Sequence, residues 1–417
     1  MTDMFWFIKS LKGNPKTILM MEAPWTLPFN MFLPFATLYM FAIGLNDVEI
    51  GTLLSIGMFA NFIMATLGGA ITDKFGRRKT FLIFDCLAWC VPVLIWAFSQ
   101  NFWWFLAAVL FNSVQHIALI AFECSWLDDL EEQKIPRLVN WFHIFWLSSV
   151  FSALVTGYFV SRYSVVPVLR IVYLVAFVSM TVRIVALVFL LKETERGKKR
   201  MEDTKDKSIA ELLSGYKEVA VQVVRSRSMV RVLILMPMVS IFVMITQTFF
   251  ALYATQDLQI SEYFLAYFPV IRAGVALLFF FFIQDRLGTF DPKHLMTAGL
   301  ILYLAGHTLL LTAPPQNIPW LLAYAFADAW AAALFLPRMD ALLFGSIDPT
   351  ERARCRSFIN VVVLAITSPF GFLAGFLSDM DRRLPFALNV MLFICMIYFV
   401  LLRRPKTQKN TAAQQNQ

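Results

Sequence analysis

The chain has 417 residues, of which 59% are hydrophobic and only 15% charged, and its mean hydropathy is +0.66. A soluble globule carries about 25% charged residues, so these values exclude a water-soluble domain and read as a polytopic membrane protein. The net charge of +8 is not a nucleic-acid signal, because the basic residues gather in alternate loops, as the positive-inside rule describes.

Apolar runs of membrane-spanning length recur along the whole chain. They predict about twelve spans, at 17–44, 49–73, 79–99, 102–127, 138–161, 167–191, 229–255, 262–285, 292–313, 317–345, 350–378 and 384–403. The first ~16 residues lack the pattern of a cleaved signal, so the first span is expected to be retained.

The largest polar interruption runs from Lys192 to Ser228 and carries Lys192, Arg196, Lys198, Lys199, Arg200, Lys205 and Lys207. That basic content places it in the cytoplasm. Lys74 to Lys79, Lys134 with Arg137, Arg286 with Lys293, Arg352 to Arg356 and the tail from Arg403 alternate with it. Both termini are then cytoplasmic, and a bacterial cytoplasmic membrane is the expected location. Two pairs, Arg162/Arg170 and Arg382/Arg383, fall on the wrong side and break the rule. Inside the interruption, Ser208 to Glu211 reads as a capping box. Ile209, Leu212, Leu213, Tyr216, Val219, Ala220 and Val223 follow at helical spacing. They predict an amphipathic helix lying along the membrane surface, a strap between two halves.

The expected organisation is a first six-helix half at 1–191, a linker at 192–228, a second half at 229–403 and a polar, disordered tail at 404–417. Weak repeats support two halves. Ser152 to Arg162, with Gly157, parallels Ser368 to Asp379, with Gly375. Gln284 to Gly288 looks like an eroded copy of Asp73 to Gly76. The cysteines Cys86, Cys90, Cys124, Cys355 and Cys395 lie in or near apolar runs without metal-site spacing. No metal and no cofactor are expected.

One stretch organises the rest: Gly69-Ala-Ile-Thr-Asp73-Lys74-Phe-Gly76-Arg77-Arg78-Lys79, between the second and third spans. Gly69 and Asp73 share a helix face, and Gly76 suits the reversal between two helices. Asp73 sits at a helix C-terminus, and Arg77 and Arg78 at a helix N-terminus. Both placements oppose the local dipole, which calls for partners outside their own helices. This stretch resembles the signature loop of the major facilitator superfamily of transporters. The resemblance covers roughly residues 15 to 403 and implies an all-α membrane protein of two pseudo-symmetric six-helix halves. It further implies a conformational latch of Gly69, Asp73, Lys74, Gly76, Arg77 and Arg78 with an acid at the foot of span four, Asp128 or Asp129. The residues Asp348-Pro349-Thr350-Glu351 read as an N-cap, a first-turn Pro and a capping-box acid. The start of span eleven is then the helix end that the resemblance assigns to Asp73.

The resemblance also implies a central cavity lined by spans one, four, seven and ten. The polar residues there are Glu22, Asn30, Asn112, His116, Glu123, Gln247, Asp328 and Arg338. Charges inside a span are costly and mark function by default. Asp328 is the leading candidate, as a carboxylate that couples transport to protons or as a member of an ion pair with Arg338 or Arg272. Asp85 and Arg183 belong to peripheral spans and are expected to pair structurally. Span four has neither the Arg nor the Gly expected of proton-coupled drug exporters, and span five has no Gly-Pro motif. The expected function is therefore a secondary transporter of a small organic solute, working as a monomer in the bilayer and driven by protons. No nucleophile elbow, metal cluster or phosphate loop points to an enzyme. The alternative is a non-transporting sensor on the same fold.

Overall fold

The computed structural model describes residues 7, 10–128, 130–213, 216–283, 287, 290–346 and 352–401. Among these, every regular element is a helix. Eleven are long and apolar enough to cross a membrane. Spans 2 to 6 are Asp47–Phe75, Arg77–Phe98, Phe102–Leu127, Arg137–Tyr163 and Val165–Leu190, and spans 7 to 12 are Ser228–Asp257, Glu262–Phe279, Pro292–Leu311, Ile318–Leu343, Cys355–Met380 and Leu384–Leu401.

Span 1 is also present but broken. It runs as Ala23–Phe32, a 3-10 turn at Leu33–Phe35 and Ala36–Ala42. Pro28 lies inside the first piece and Pro34 inside the turn. Each proline removes a backbone donor and crowds the preceding turn. Two other spans are relaxed by π turns, at Cys86–Cys90 in span 3 and Tyr253–Asp257 at the end of span 7. Such turns often sit at functional sites.

The linker contributes Glu195–Asp203, Ile209–Leu213 and Tyr216–Arg225. The Ser208 capping box is formed: the Ser208 amide donates to Glu211 at 3.1 Å, and the Glu211 amide to Ser208 Oγ at 3.2 Å. Helix thus covers the described residues Ile209–Leu213 and Tyr216–Arg225 of the stretch where an amphipathic helix is expected. The first linker helix, capped by Thr194, has no counterpart in the apolar periodicity because it is almost wholly charged.

The packing differs at the two ends of the bundle. Call the end carrying the linker the linker face, and the opposite end the far face. Around the far face one continuous core takes residues from both halves, including Leu38, Ile50 and Val160 with Leu252, Leu265 and Phe386. Towards the linker face there are two separate cores. One belongs to the first half, with Leu19, Phe81, Ala121 and Leu187. The other belongs to the second half, with Leu235, Leu300, Phe335 and Met396. Between them a small contact of Ala65 with Val361 and Leu364 joins spans 2 and 11.

Candidate functional site

The far face is closed by close helix approach and by charge. Spans 2 and 11 meet at glycines. A Cβ built on Gly51 would lie 2.6 Å from the Gly371 carbonyl oxygen and 2.7 Å from Gly375 Cα, and one on Gly375 would lie 2.6 Å from the Asp47 carbonyl oxygen. Only a residue without a side chain allows that approach. Spans 5 and 8 meet in the same way, since a Cβ on Gly157 would lie 3.0 Å from Ala266 Cβ. The paired repeat glycines Gly157 and Gly375 thus mark the two symmetry-related contacts between the halves.

Beside this seam sits an ion cluster. Arg382 donates to Asp47 at 3.0 and 3.2 Å and to Asp257 at 3.3 Å, and Ser378 Oγ donates to Asp47 at 2.6 Å. Asp47 opens span 2 in the first half, while Asp257, Ser378 and Arg382 belong to the second. The Asp47 side chain is 3% exposed, so Arg382 is what keeps its charge tolerable. Arg382 lies outside the spans. Burial pulls its guanidinium pKa down, but Asp47 and Asp257 outweigh that and leave it above the usual arginine value. Each of the two basic pairs that broke the loop-charge rule therefore has one member with a partner on this face. Arg382 is held by acids on its own face, and Arg170 donates to the Ser99 carbonyl at 3.3 Å.

At the linker face the signature stretch makes a different kind of cluster. Arg77 bridges Asp73 at 3.1 Å and Asp128 at 3.0 Å. Thr194 Oγ1 donates to the same Asp128 oxygen at 3.0 Å. Arg78 donates to the carbonyls of Val188 and Leu191 at 2.6 and 2.8 Å, at the end of span 6. Glu193 accepts from the amides of Arg77 and Arg78, both at 3.0 Å. It therefore supplies the negative charge that the start of span 3 favours. Gly76 turns the chain at φ +86°, and a Cβ there would strike Glu193 Oε2 at 2.6 Å. Lys74 donates to the Lys207 carbonyl at 2.8 Å, and Thr204 to the Asp73 carbonyl at 3.2 Å. All these partners belong to the first half or to the linker. Among the described residues, and apart from its chain neighbours and its own helix backbone, no heavy atom lies within 4 Å of a Cβ built on Gly69. Asp129, residues 348–351 at the start of span 11, the 284–286 and 288 positions of the eroded repeat and the tail lie outside the described residues.

The intramembrane polar residues fall into three groups. In the first half, Arg183 pairs with Asp85 at 2.5 Å and donates to the Met21 carbonyl at 3.0 Å. The two expected structural residues are thus each other's partners, with Glu22 beside them. In the second half, Asp328 pairs with Arg272 at 3.7 Å, and Arg272 donates to Tyr303 at 3.4 Å. Arg338 is not part of this pair. It donates to the Ala333 carbonyl at 3.1 Å, with its guanidinium 5.6 Å from the centre of the Phe279 ring. Near Asp328, Asn389 donates to Thr246 Oγ1 at 3.2 Å and to His307 Nε2 at 3.3 Å. His307 then carries its proton on Nδ1 and donates to the Tyr303 carbonyl at 3.1 Å.

The third group crosses between the halves. Arg356 of span 11 is the charged neighbour of Glu123 in span 4, and Arg356 with His143 of span 5 faces Asp340 in span 10. Arg356, Asp340 and His143 are exposed, on the side where the cores separate. Gln247 is exposed too, whereas Asn30 is buried and donates to Ser149 at 2.7 Å. Asn112 donates to the Ala88 carbonyl at 2.8 Å and accepts from Gln115. It thereby bridges the break of span 4 at Ser113 and Val114. His116 is half-buried one turn further on. Sequence reasoning missed Asp47, Arg382, Glu193, Arg356 and Asp340. Only Arg382 left a signal, as a basic residue in a loop that should have none.

Twelve apolar segments in two halves, glycine seams between paired spans and an Asp–Arg–acid cluster after span 2 define a transport protein of the major facilitator type. The profile of the MFS_1 like family matches residues 29–342, and that of the Major Facilitator Superfamily matches residues 273–417. The chain belongs to the MFS_1 like family. Solved structures share its fold at low identity. The nucleoside transporter NupG is 13% identical, with a TM-score of 0.70 over 94% of this chain and 100% of that one. A bacterial homologue of the human lysosomal transporter Spinster is 12% identical, with a TM-score of 0.72 over 93% and 95%. The human organic anion transporter MFSD10 is 16% identical, with a TM-score of 0.63 over 93% and 98%. None of the curated proteins compared matches the chain.

Proposed function

We propose that this protein is a secondary active transporter that carries a small organic solute by alternating access, coupled to protons, as a monomer with both termini in the cytoplasm. One observation carries the reading: the core is single at the far face and divided at the linker face. Two rigid halves hinged at one end and parted at the other are what one end state of a rocking carrier requires. With the basic linker inside, this state is open to the cytoplasm. The solute would enter between Glu123, Arg356, Asp340 and His143, and Asp328 with Arg272 would supply the buried charge deeper in. The relatives carry nucleosides and organic anions, and a cavity with both signs of charge suits ionisable or polar solutes of that kind.

The test is reconstitution in proteoliposomes with an internal pH dye. Nucleosides, short peptides and organic anions are first screened for thermal stabilisation of the purified protein. A stabilising solute that drives proton movement, with the movement lost in Asp328→Asn, is the expected result. A stabilising solute that moves no protons under any gradient would remove proton coupling. Solute binding without uptake would favour the sensor alternative.

A further inference from the structure

Span 1 enters the bundle through Met21 and Glu22, just ahead of its helical start at Ala23. These two residues meet span 3 and span 6 at one buried point. Arg183 of span 6 gives its Nη1 to Asp85 at 2.5 Å and its Nε to the Met21 carbonyl at 3.0 Å, and its guanidinium lies 5.6 Å from the centre of the Phe81 ring. The side chains of Arg183 and Asp85 are 4% and 10% exposed. Glu22 comes next in the chain. Its Oε2 is buried and accepts no hydrogen bond from any described residue.

The surroundings give that oxygen little help. Its charged neighbours are Arg183 from span 6 and Asp85 from span 3. The thiols of Cys86 and Cys90 lie on the Asp85 side. Span 5, also packed on span 1, brings the Trp146 ring against Trp25 and the Ser149 hydroxyl to Asn30. Span 6 brings Ser179, whose hydroxyl donates to the Pro24 carbonyl. The site therefore holds two carboxylates and one guanidinium, and the guanidinium is committed to Asp85. A buried carboxylate oxygen with no donor, whose nearby cation is already paired with another acid, is costly. A proton on it removes that cost.

We propose that Glu22 is an exchangeable proton site of the first half, and that Arg183 changes partner with it. When Glu22 binds a proton, its carboxylate becomes a neutral carboxyl and Arg183 stays on Asp85. When the proton leaves to water at the linker face, Arg183 is drawn between two anions and pulls Glu22, and with it the entry of span 1, toward spans 3 and 6. Glu22 as a residue is half-exposed, which gives the proton its path. This deepens the transport reading above and rests on it for its meaning, since it puts a proton site in the half opposite Asp328.

The test needs no solute, so it stands apart from the fate of the transport reading. The full chain in lipid nanodiscs is followed by infrared difference spectroscopy while the pH is stepped from acid to alkaline. The wild type should show a protonated-carboxyl stretch at neutral pH that bleaches in alkali. Glu22→Gln should lose that band, and Asp328→Asn should keep it. Asp85→Asn should also lose it at neutral pH, although Glu22 is intact, because the freed Arg183 then holds Glu22 ionised. Size-exclusion profiles identify variants that have not folded, and Asp85→Asn carries the test by itself if Glu22→Gln fails to fold. A band that survives Glu22→Gln, or that persists at neutral pH in folded Asp85→Asn, overturns the proposal.

Discussion

Each end of the bundle holds an arginine between carboxylates, yet the two clusters do opposite work. At the far face Arg382 links Asp47 of the first half to Asp257 of the second. Its energy exists only while the halves touch. At the linker face Arg77 links Asp73 to Asp128, and Arg78 and Glu193 fasten spans 3 and 6. Those partners all lie in the first half or at the start of the linker, so under the proposed rocking motion their energy would be the same whether that face is open or shut. The glycines repeat the contrast. Gly51 is pressed against span 11, while a Cβ on Gly69, on the same helix, would meet no described atom beyond that helix. A charge cluster favours one conformation only when its members come from bodies that separate. A cluster within one body makes that body stiff.

The largest effect should come from a pair inside one half. Arg183→Met strands Asp85 beside Glu22, and a broken buried ion pair costs about 3–5 kcal/mol. Thermal unfolding in detergent should fall accordingly, with the spacing between the halves unchanged in whatever protein remains folded. Next comes Arg382→Ala. Losing charged hydrogen bonds to a buried acid costs about 1.5–3 kcal/mol, which is roughly a tenfold to hundredfold shift toward the state parted at the far face. Spin labels at Ser161 and Gln256, exposed on that face in different halves, should move apart. An unchanged distance would remove Arg382 as a gate.

Gly51→Leu should push in the same direction through overpacking, at about 1–3 kcal/mol. Gly69→Leu should leave stability within about 0.5 kcal/mol; equal effects at the two positions would erase the contrast between the faces. The smallest stability change is expected for Asp73→Asn. Its partly exposed pair with Arg77, four residues on, is worth about 0.2–0.5 kcal/mol. Transport should nonetheless drop sharply if Asp73 latches the opposite state, and wild-type turnover in a folded variant would end that idea.

Much of this was readable from the chain. The structural spans that the periodicity predicted agree to within a few residues at most ends, because a bilayer demands a run of apolar residues and tolerates few charges in it. The Asp73 to Arg78 stretch was legible for a similar reason, since its residues oppose their own helix dipoles and so advertise partners elsewhere. Asp128 or Asp129 could be named as one such partner, and Arg77 bridges Asp128. Glu193 could not, because a lone acid at the edge of a basic linker carries no spacing that ties it to span 3. Asp328 was singled out by its depth in a span, but Arg272 and Arg338 were both available to pair with it in sequence terms. Only packing separated Arg272 from Arg338, which turns away to the Phe279 ring.

What the sequence determined alone was therefore everything that depends on local periodicity and solvent. It set the membrane class, the spans, the halves, the linker capping box and the signature turn at Gly76. What only the tertiary structure decided was everything that depends on which distant helices meet. That includes the Asp85–Arg183 pair with its surplus carboxylate at Glu22, the closure of the far face by Asp47 and Arg382, and the parting of the cores toward the linker. The physical reason is that hydropathy is a property of one helix in its solvent, whereas a buried charge is tolerated only by its partner, and that partner can lie 51 residues away along the chain, as Asp128 does from Arg77, or 335, as Arg382 does from Asp47.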